Sequence, residues 1–284
     1  MSDRYFEGWY YKQRAGDYML AFIPGRAADG AFIQMIDSGG TRQFPVSSYH
    51  VEGDTVRADD CLFSPHGIRV SLPGVEGTLR YEGLSPLRSD IMGPFAHLPM
   101  QCSHGVVSMS HRVSGCITVD GIPHVFSNAS GYAEKDRGRS FPRSYLWMQC
   151  NDFPRPCSFM LARAHIPFLA FSFTGCLAVV MTEQQEYRFA TYRGVRIQLD
   201  SDHRIILRQG KLTLDAQFEP FGDGHELKAP EAGRMTGRIR ESCDARLRLR
   251  LCDGDRVIVD CESRRATFER VGDAGDAPGE NFLK

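Results

Sequence analysis

RLRLRL, from Arg246 to Leu251, runs into the pair Asp253-Gly254 and then into RVIVDC, from Arg256 to Cys261. Successive side chains of a strand point to opposite faces, so Leu247, Leu249 and Leu251 share an apolar face while Arg246, Arg248 and Arg250 share a wet one. Two such runs around a short Gly-containing pair predict a hairpin of type I′. The arginine stripe reads as a solvated strand face, with an anion site as the competing reading. The same punctuation recurs at Asp29-Gly30, Gly39-Gly40, Gly53-Asp54, Pro73-Gly74 and Asp120-Gly121, with strand-like runs between. No long stretch keeps apolar residues at the helical period, and internal prolines interrupt the nearest approximations. The chain is therefore predicted to be all-β and antiparallel, with few helices.

At 284 residues the chain suffices for one large β domain or two smaller ones. Short strands in series predict two barrel or sandwich halves, residues 1–118 and 119–270, with a joint near Gly115 to Pro123. No clean internal repeat is visible. The tail, residues 271–284, loses periodicity and is predicted to be disordered. Lys plus Arg number 34 against 35 Asp plus Glu, a net charge of -1, so nucleic acid is not expected as a partner. Nine scattered cysteines, an odd number without a CxxC pair, argue against a disulfide framework and a zinc knuckle and for reduced thiols in the cytoplasm. The start, MSDRYFEGWYYK, lacks the order of a secretory signal. The charge-free run IPFLAFSFTGCLAVVM, Ile166 to Met181, is too short for a spanning helix and carries Pro167 and Gly175. It is predicted to form two buried strands around a Thr174-Gly175 turn, with a peripheral membrane contact as the alternative.

The chemistry concentrates in GYAEKDRGRSFPRSYLWMQCNDF, Gly131 to Phe153. If Tyr145 to Asn151 is a strand, Tyr145, Trp147, Gln149 and Asn151 share one face, and Leu146, Met148 and Cys150 form an ordinary core face. A face of rings and amides lines either a cavity for a large apolar ligand or a plain barrel interior. Before it, Glu134, Lys135, Asp136, Arg137, Arg139 and Arg143 read as a charged turn, either a screened surface loop or a loop that aims one carboxyl into the cavity. Near the N-terminus, Tyr5, Glu7, Trp9 and Tyr11 share one strand face, and Phe6, Gly8 and Tyr10 the other. His97, His104 and His111 are seven residues apart, which suits neither a strand face nor a zincin helix, and no metal is expected. Cys102 and His104 share strand parity and would need metal ligands from elsewhere.

YFEGWYYK, MGPFAHLPMQCSHGVVSMSH, GYAEKDRGRSFPRSYLWMQCNDF and HELKAPEAGRMTGRIRESCDARLRLRL, in this order from Tyr5 to about Phe268, resemble the tocopherol cyclase family and its shorter bacterial members. The resemblance implies two lipocalin-like halves, similar in fold to carotenoid hydratases. It also implies acid-catalysed closure of a chroman ring: an acid protonates a trisubstituted alkene, a tertiary cation develops, and a phenol oxygen captures it in a pocket without water. On that basis Glu134, then Asp136, then Glu7 is the expected acid. Trp147, Tyr145, Trp9 and Tyr10 supply ring faces for the cation, and Tyr132 and His104 join the ligand-binding set. Lys135 and Arg143 hold the loop or orient the quinol oxygens, Gln149 and Asn151 bind the head group, and no cofactor is implied. Where the family's motif has tryptophan, this chain has Arg137, which points to a different substrate. A hydratase of similar mechanism and a non-catalytic carrier of an apolar isoprenoid remain the alternatives.

Overall fold

The computed structural model describes residues 5–168 and 171–272, so the predicted disordered tail lies outside the described residues from 273 onward. Eleven antiparallel strands build the first sheet: β1 (Phe6–Ala15), β2 (Tyr18–Ala27), β3 (Gly30–Asp37), β4 (Gly40–Val46), β5 (Tyr49–Glu52), β6 (Thr55–Ala58), β7 (Cys61–Ser64), β8 (Gly67–Leu72), β9 (Val75–Glu82), β10 (Cys102–Val119) and β11 (Ile122–Gly138). Ten build the second: β12 (Tyr145–Cys150), β13 (Cys157–Phe168), β14 (Phe171–Thr182), β15 (Glu186–Ala190), β16 (Arg196–Asp200), β17 (Arg204–Gln209), β18 (Leu212–Pro220), β19 (His225–Glu231), β20 (Arg234–Asp253) and β21 (Arg256–Val271). Helical structure among the described residues is limited to the short 3₁₀ turns Gly93–His97 and Thr191–Arg193. The all-β, two-halved, lipocalin-like architecture is thus the observed one.

The two sheets follow similar paths, except that β19 of the second pairs with β20 off the main order. Each opens with a four-strand meander whose first strand pairs with the last strand of its own sheet, β1 with β11 and β12 with β21. Each curls around its own apolar core. Tyr11, Leu20, Phe22, Ile33, Phe63 and Phe126 fill the first. Leu146, Met148, Phe159, Leu161, Leu247, Leu249 and Leu251 fill the second.

A third cluster lies between them, built from the opposite faces of the same strands: Tyr10, Met19, Ala21 and Ile36 from one side, Tyr145, Trp147, Met160 and Val179 from the other. Strands buried on both faces, such as β12, need polar residues on neither. At about 25 cal/mol per Å² of apolar surface removed from water, this second buried face is what ties the halves together. The charge-free run Ile166 to Met181, expected to be two buried strands, is buried mainly from Gly175 onward, whereas Pro167, Phe171, Ser172 and Thr174 at the hairpin end are exposed.

Four local expectations are corrected. The division between the sheets falls at residues 139–144. The stretch Gly115 to Pro123 belongs to the β10–β11 hairpin, whose turn Asp120-Gly121 takes positive φ at both residues (50° and 82°). Thr174 and Gly175 lie inside β14, opposite His165 and Ala164, and Phe168 faces Phe171 across the hairpin. Asp253 pairs with Arg256, so the reversal is Gly254-Asp255; Gly254 alone of the two has positive φ (57°), which rules out type I′. Finally, EKDRG is the end of β11 and not a turn, paired on one side with β1 and on the other with β10.

Candidate functional site

Because EKDRG is a strand, alternation decides its chemistry. Glu134 and Asp136 point into the space between the barrels, and Lys135 and Arg137 point away. A cavity of about 200 Å³ lies there, at the meeting of the first and last strands of each sheet. Its walls are mostly apolar, with Phe6, Ile23, Met92, Phe95, Phe141, Ile166, Leu177 and Ile239 among them. Among its polar side chains are five carboxyls, of Glu7, Glu134, Asp136, Glu241 and Glu269, and the His104 imidazole, set into an apolar surround of the kind small-molecule sites have.

Glu134 is the most constrained of them. Tyr132, two residues back on the same face and fully buried, donates its hydroxyl to Glu134 Oε2 at 2.5 Å. Trp147 Nε1 donates to the same oxygen at 3.2 Å from the other sheet, and His104 Nε2 lies 3.7 Å away. Burial pushes the carboxyl up, the charge on His104 pulls it back, and the result is about 7. Asp136 accepts from His104 Nδ1 at 3.0 Å. Burial works against a charged His104, but Asp136 and Glu134 outweigh it and raise the imidazole to about 9. At neutral pH His104 is a cation paired to Asp136, and of the two carboxyls beside it Glu134 is the one that burial raises.

Two further carboxyls line the cavity that sequence reasoning missed. Glu241 of β20, 2 % exposed, accepts the Tyr10 hydroxyl at 2.5 Å and is pushed by burial to about 7. Glu269 of β21 stands opposite Trp147 in register; its Oε1 has no partner, and burial followed by the charges of Glu134 and Asp136 drives it well above the usual carboxylate range. Glu241 lay within a block already singled out for its resemblance. Glu269 had a signal in parity: Ala266 and Phe268 face the second core, so Thr267 and Glu269 must face the first barrel.

Of the expected ligand-binding residues, Trp9, Tyr10, Tyr145, Trp147 and His104 line the cavity. Tyr10 and Trp147 meet edge to face at 5.7 Å, while Trp9 also packs into the first core. Tyr132 sits behind Glu134 and orients it. The others serve elsewhere. Gln149 and Asn151 do share the face of Trp147, but farther along the strand the sheets close on each other: Gln149 accepts from buried Lys12, and Asn151 donates to the Gly131 carbonyl at 2.7 Å. Lys135 pairs with Asp54 at 2.5 Å, and Arg143 is exposed in the crossing segment. Glu7 lines the cavity but is tied to Arg26 at 2.6 Å.

His104, Glu134 and Asp136 offer ligand atoms within 4.8 Å of one another, so these three are the residues among those described that could hold a divalent ion. Arg137 is exposed and absent from the cavity wall. Arg137→Trp is accordingly expected to change ligand affinity of the cavity by less than about twofold, since surface positions shift energies by only about 0.5 kcal/mol. Parallel binding titrations of both proteins with the same apolar aromatic ligand check this.

A family model described as "Tocopherol cyclase-like" matches residues 87–272. The chloroplastic tocopherol cyclase of Zea mays is 41 % identical over 63 residues, covering 22 % of this chain and 13 % of that protein. The probable chloroplastic tocopherol cyclase of Oryza sativa subsp. japonica is 40 % identical over 62 residues, with the same coverages. The matches thus span only about an eighth of these relatives (13 %). Among solved structures, CghA with Sch210972 superposes over 96 % of this chain and 90 % of its own at TM-score 0.62 and 12 % identity. Kievitone hydratase from Nectria haematococca superposes over 95 % of this chain and 89 % of its own at TM-score 0.51 and 9 % identity. At such identities these two share the fold alone. The family match covers well over half of the chain, and the protein belongs to the tocopherol cyclase-like family.

Proposed function

We propose that the protein is an acid-catalysed cyclase of a prenylated hydroquinone or related isoprenoid, with Glu134 as the proton donor. The observation that carries this reading is a buried carboxyl, raised to about 7, that Tyr132 and Trp147 hold from two sheets at a mostly apolar cavity lined by aromatic rings. Oε2 accepts both hydrogen bonds, which frees Oε1 to deliver a proton to an alkene carbon. The edge-to-face pair of Tyr10 and Trp147 then offers ring density to the tertiary cation, about 0.5 to 2 kcal/mol per ring. The apolar wall keeps water from quenching it. Glu269, whose carboxyl burial pushes well above the usual range and whose Oε1 has no partner, is placed to hydrogen-bond a ligand oxygen. An apolar cavity of about 150 Å³ takes up benzene, so the site suits an aromatic head with its first isoprene unit.

Incubation of the purified protein with prenylated hydroquinones in deuterated water tests the reading. One carbon-bound deuterium in a cyclised product is the expected result. Deuterium in a hydrated, uncyclised product would reassign the protein as a hydratase. Unlabelled substrate together with a tryptophan emission change on binding would make it a carrier.

The pH dependence follows from the same carboxyl. Glu134 must be protonated to act, and its proton is lost through about pH 7. Above that pH, kcat/KM should fall about tenfold per unit as the donor ionises. A rate that stays level to pH 9 would exclude Glu134.

A further inference from the structure

Glu134 is not the only carboxyl bound to the aromatic pair. Trp147 donates to Glu134 at 3.2 Å, and its edge partner Tyr10 donates to Glu241 at 2.5 Å. The rings proposed to face the cation therefore carry a buried carboxyl at each polar end, one from each sheet, and both line the same cavity. We propose that Glu241 is a second catalytic carboxyl, the base that takes the phenolic proton during ring closure. This inference rests on the cyclase reading above.

The electron count closes. The alkene π pair forms a C–H bond with the Glu134 proton, leaving a tertiary cation and the Glu134 carboxylate. A phenol oxygen lone pair forms the C–O bond, and the O–H proton passes to the Glu241 carboxylate. The net reaction is an isomerisation, and one proton returns from Glu241 to Glu134 through solvent between turnovers.

The surroundings of Glu241 suit an acceptor. Tyr10 and Lys12 of β1 face it, the hydroxyl as hydrogen-bond donor and the ammonium as a cation, and both favour the carboxylate. Arg14 of β1 reaches the backbone carbonyl of Cys243, its neighbour on β20, at 2.6 Å. Glu134 of β11 opposes the charge, and Glu269 of β21 and His225 of β19 stand opposite Glu241 in register. Burial sets the balance at about 7, so the Glu241 carboxylate is available near neutral pH, 2.5 Å from the Tyr10 hydroxyl at the cavity wall. Donor and acceptor together give a bell-shaped rate profile near pH 7, in which the limb below the optimum belongs to Glu241.

The test compares wild type, Glu241→Gln and Tyr10→Phe on a short-chain prenylated hydroquinone in deuterated water across pH 5 to 9. Glu241→Gln is expected to lose chroman formation about 100-fold, to lose the acid limb, and to return alkene or its isomer bearing carbon-bound deuterium, since the cation still forms but is not captured. Tyr10→Phe keeps the packing and removes the donor, so its acid limb should move to higher pH. Chroman formation by Glu241→Gln at the wild-type rate and profile would overturn the proposal while leaving the cyclase reading intact. Loss of both chroman and deuterium incorporation, with the acid limb of Tyr10→Phe unmoved, would also overturn it and leave Glu241 a structural group. A wild type that yields no labelled product would overturn both readings.

Discussion

Glu134→Gln is expected to lower turnover about 10³-fold while leaving ligand affinity within a few-fold and the fold intact. The amide has the shape of the neutral acid, and its carbonyl can still accept from Tyr132 and Trp147, which hold the carboxyl now at 2.5 and 3.2 Å. What it lacks is a transferable proton. His104 keeps its partner Asp136 at 3.0 Å, so the substitution does not strand a buried cation. Turnover and calorimetric affinity, measured on the same preparation, separate the two effects. If turnover survives within about tenfold, the donor is another of the buried carboxyls, and Glu269, with its unpartnered oxygen, is the first to examine.

Trp147→Ala should cost more than activity. The indole is 8 % exposed, packs between the barrels, and joins β12 to Glu134 of the other sheet. Truncating a buried tryptophan costs about 3 to 5 kcal/mol through lost transfer energy and the cavity left behind. For a chain of this size that lowers the thermal midpoint by roughly 10 °C. Binding should weaken as well, because the ring is a wall of the cavity. Trp147→Phe supplies the control: most of the packing returns, the hydrogen bond to Glu134 does not, and the carboxyl loses one group that holds its pKa down. Stability close to wild type in both variants would mean that the third apolar cluster does not hold the halves together.

The candidate site was legible in part. Glu134 and Trp147 were readable because each lies in a conspicuous local pattern, and parity placed Tyr145 and Trp147 on one face. The same parity misled at Gln149 and Asn151, since sharing a face with Trp147 says nothing of where along the strand that face stops lining a cavity and starts touching a second sheet. Reading EKDRG as a turn put Lys135 beside the ligand, whereas pairing of β11 on both sides sends it to Asp54.

By itself the sequence determined the class of fold, because the alternation of RLRLRL and the spacing of Gly-containing turns are local consequences of the strand's two-residue period. It pointed to Glu134, Asp136 and Glu7 as candidates for acid chemistry, but not to Glu241 or Glu269, nor to which of them meet. Only the tertiary structure decided that the cavity lies between two filled barrels and that Glu241 and Glu269 join Glu134 there. The reason is physical. A strand's period fixes which side chains share a face, but whether that face meets water, its own core or another sheet depends on contacts between residues far apart in the chain. Where both faces are buried, no polar alternation remains in the sequence to tell them apart.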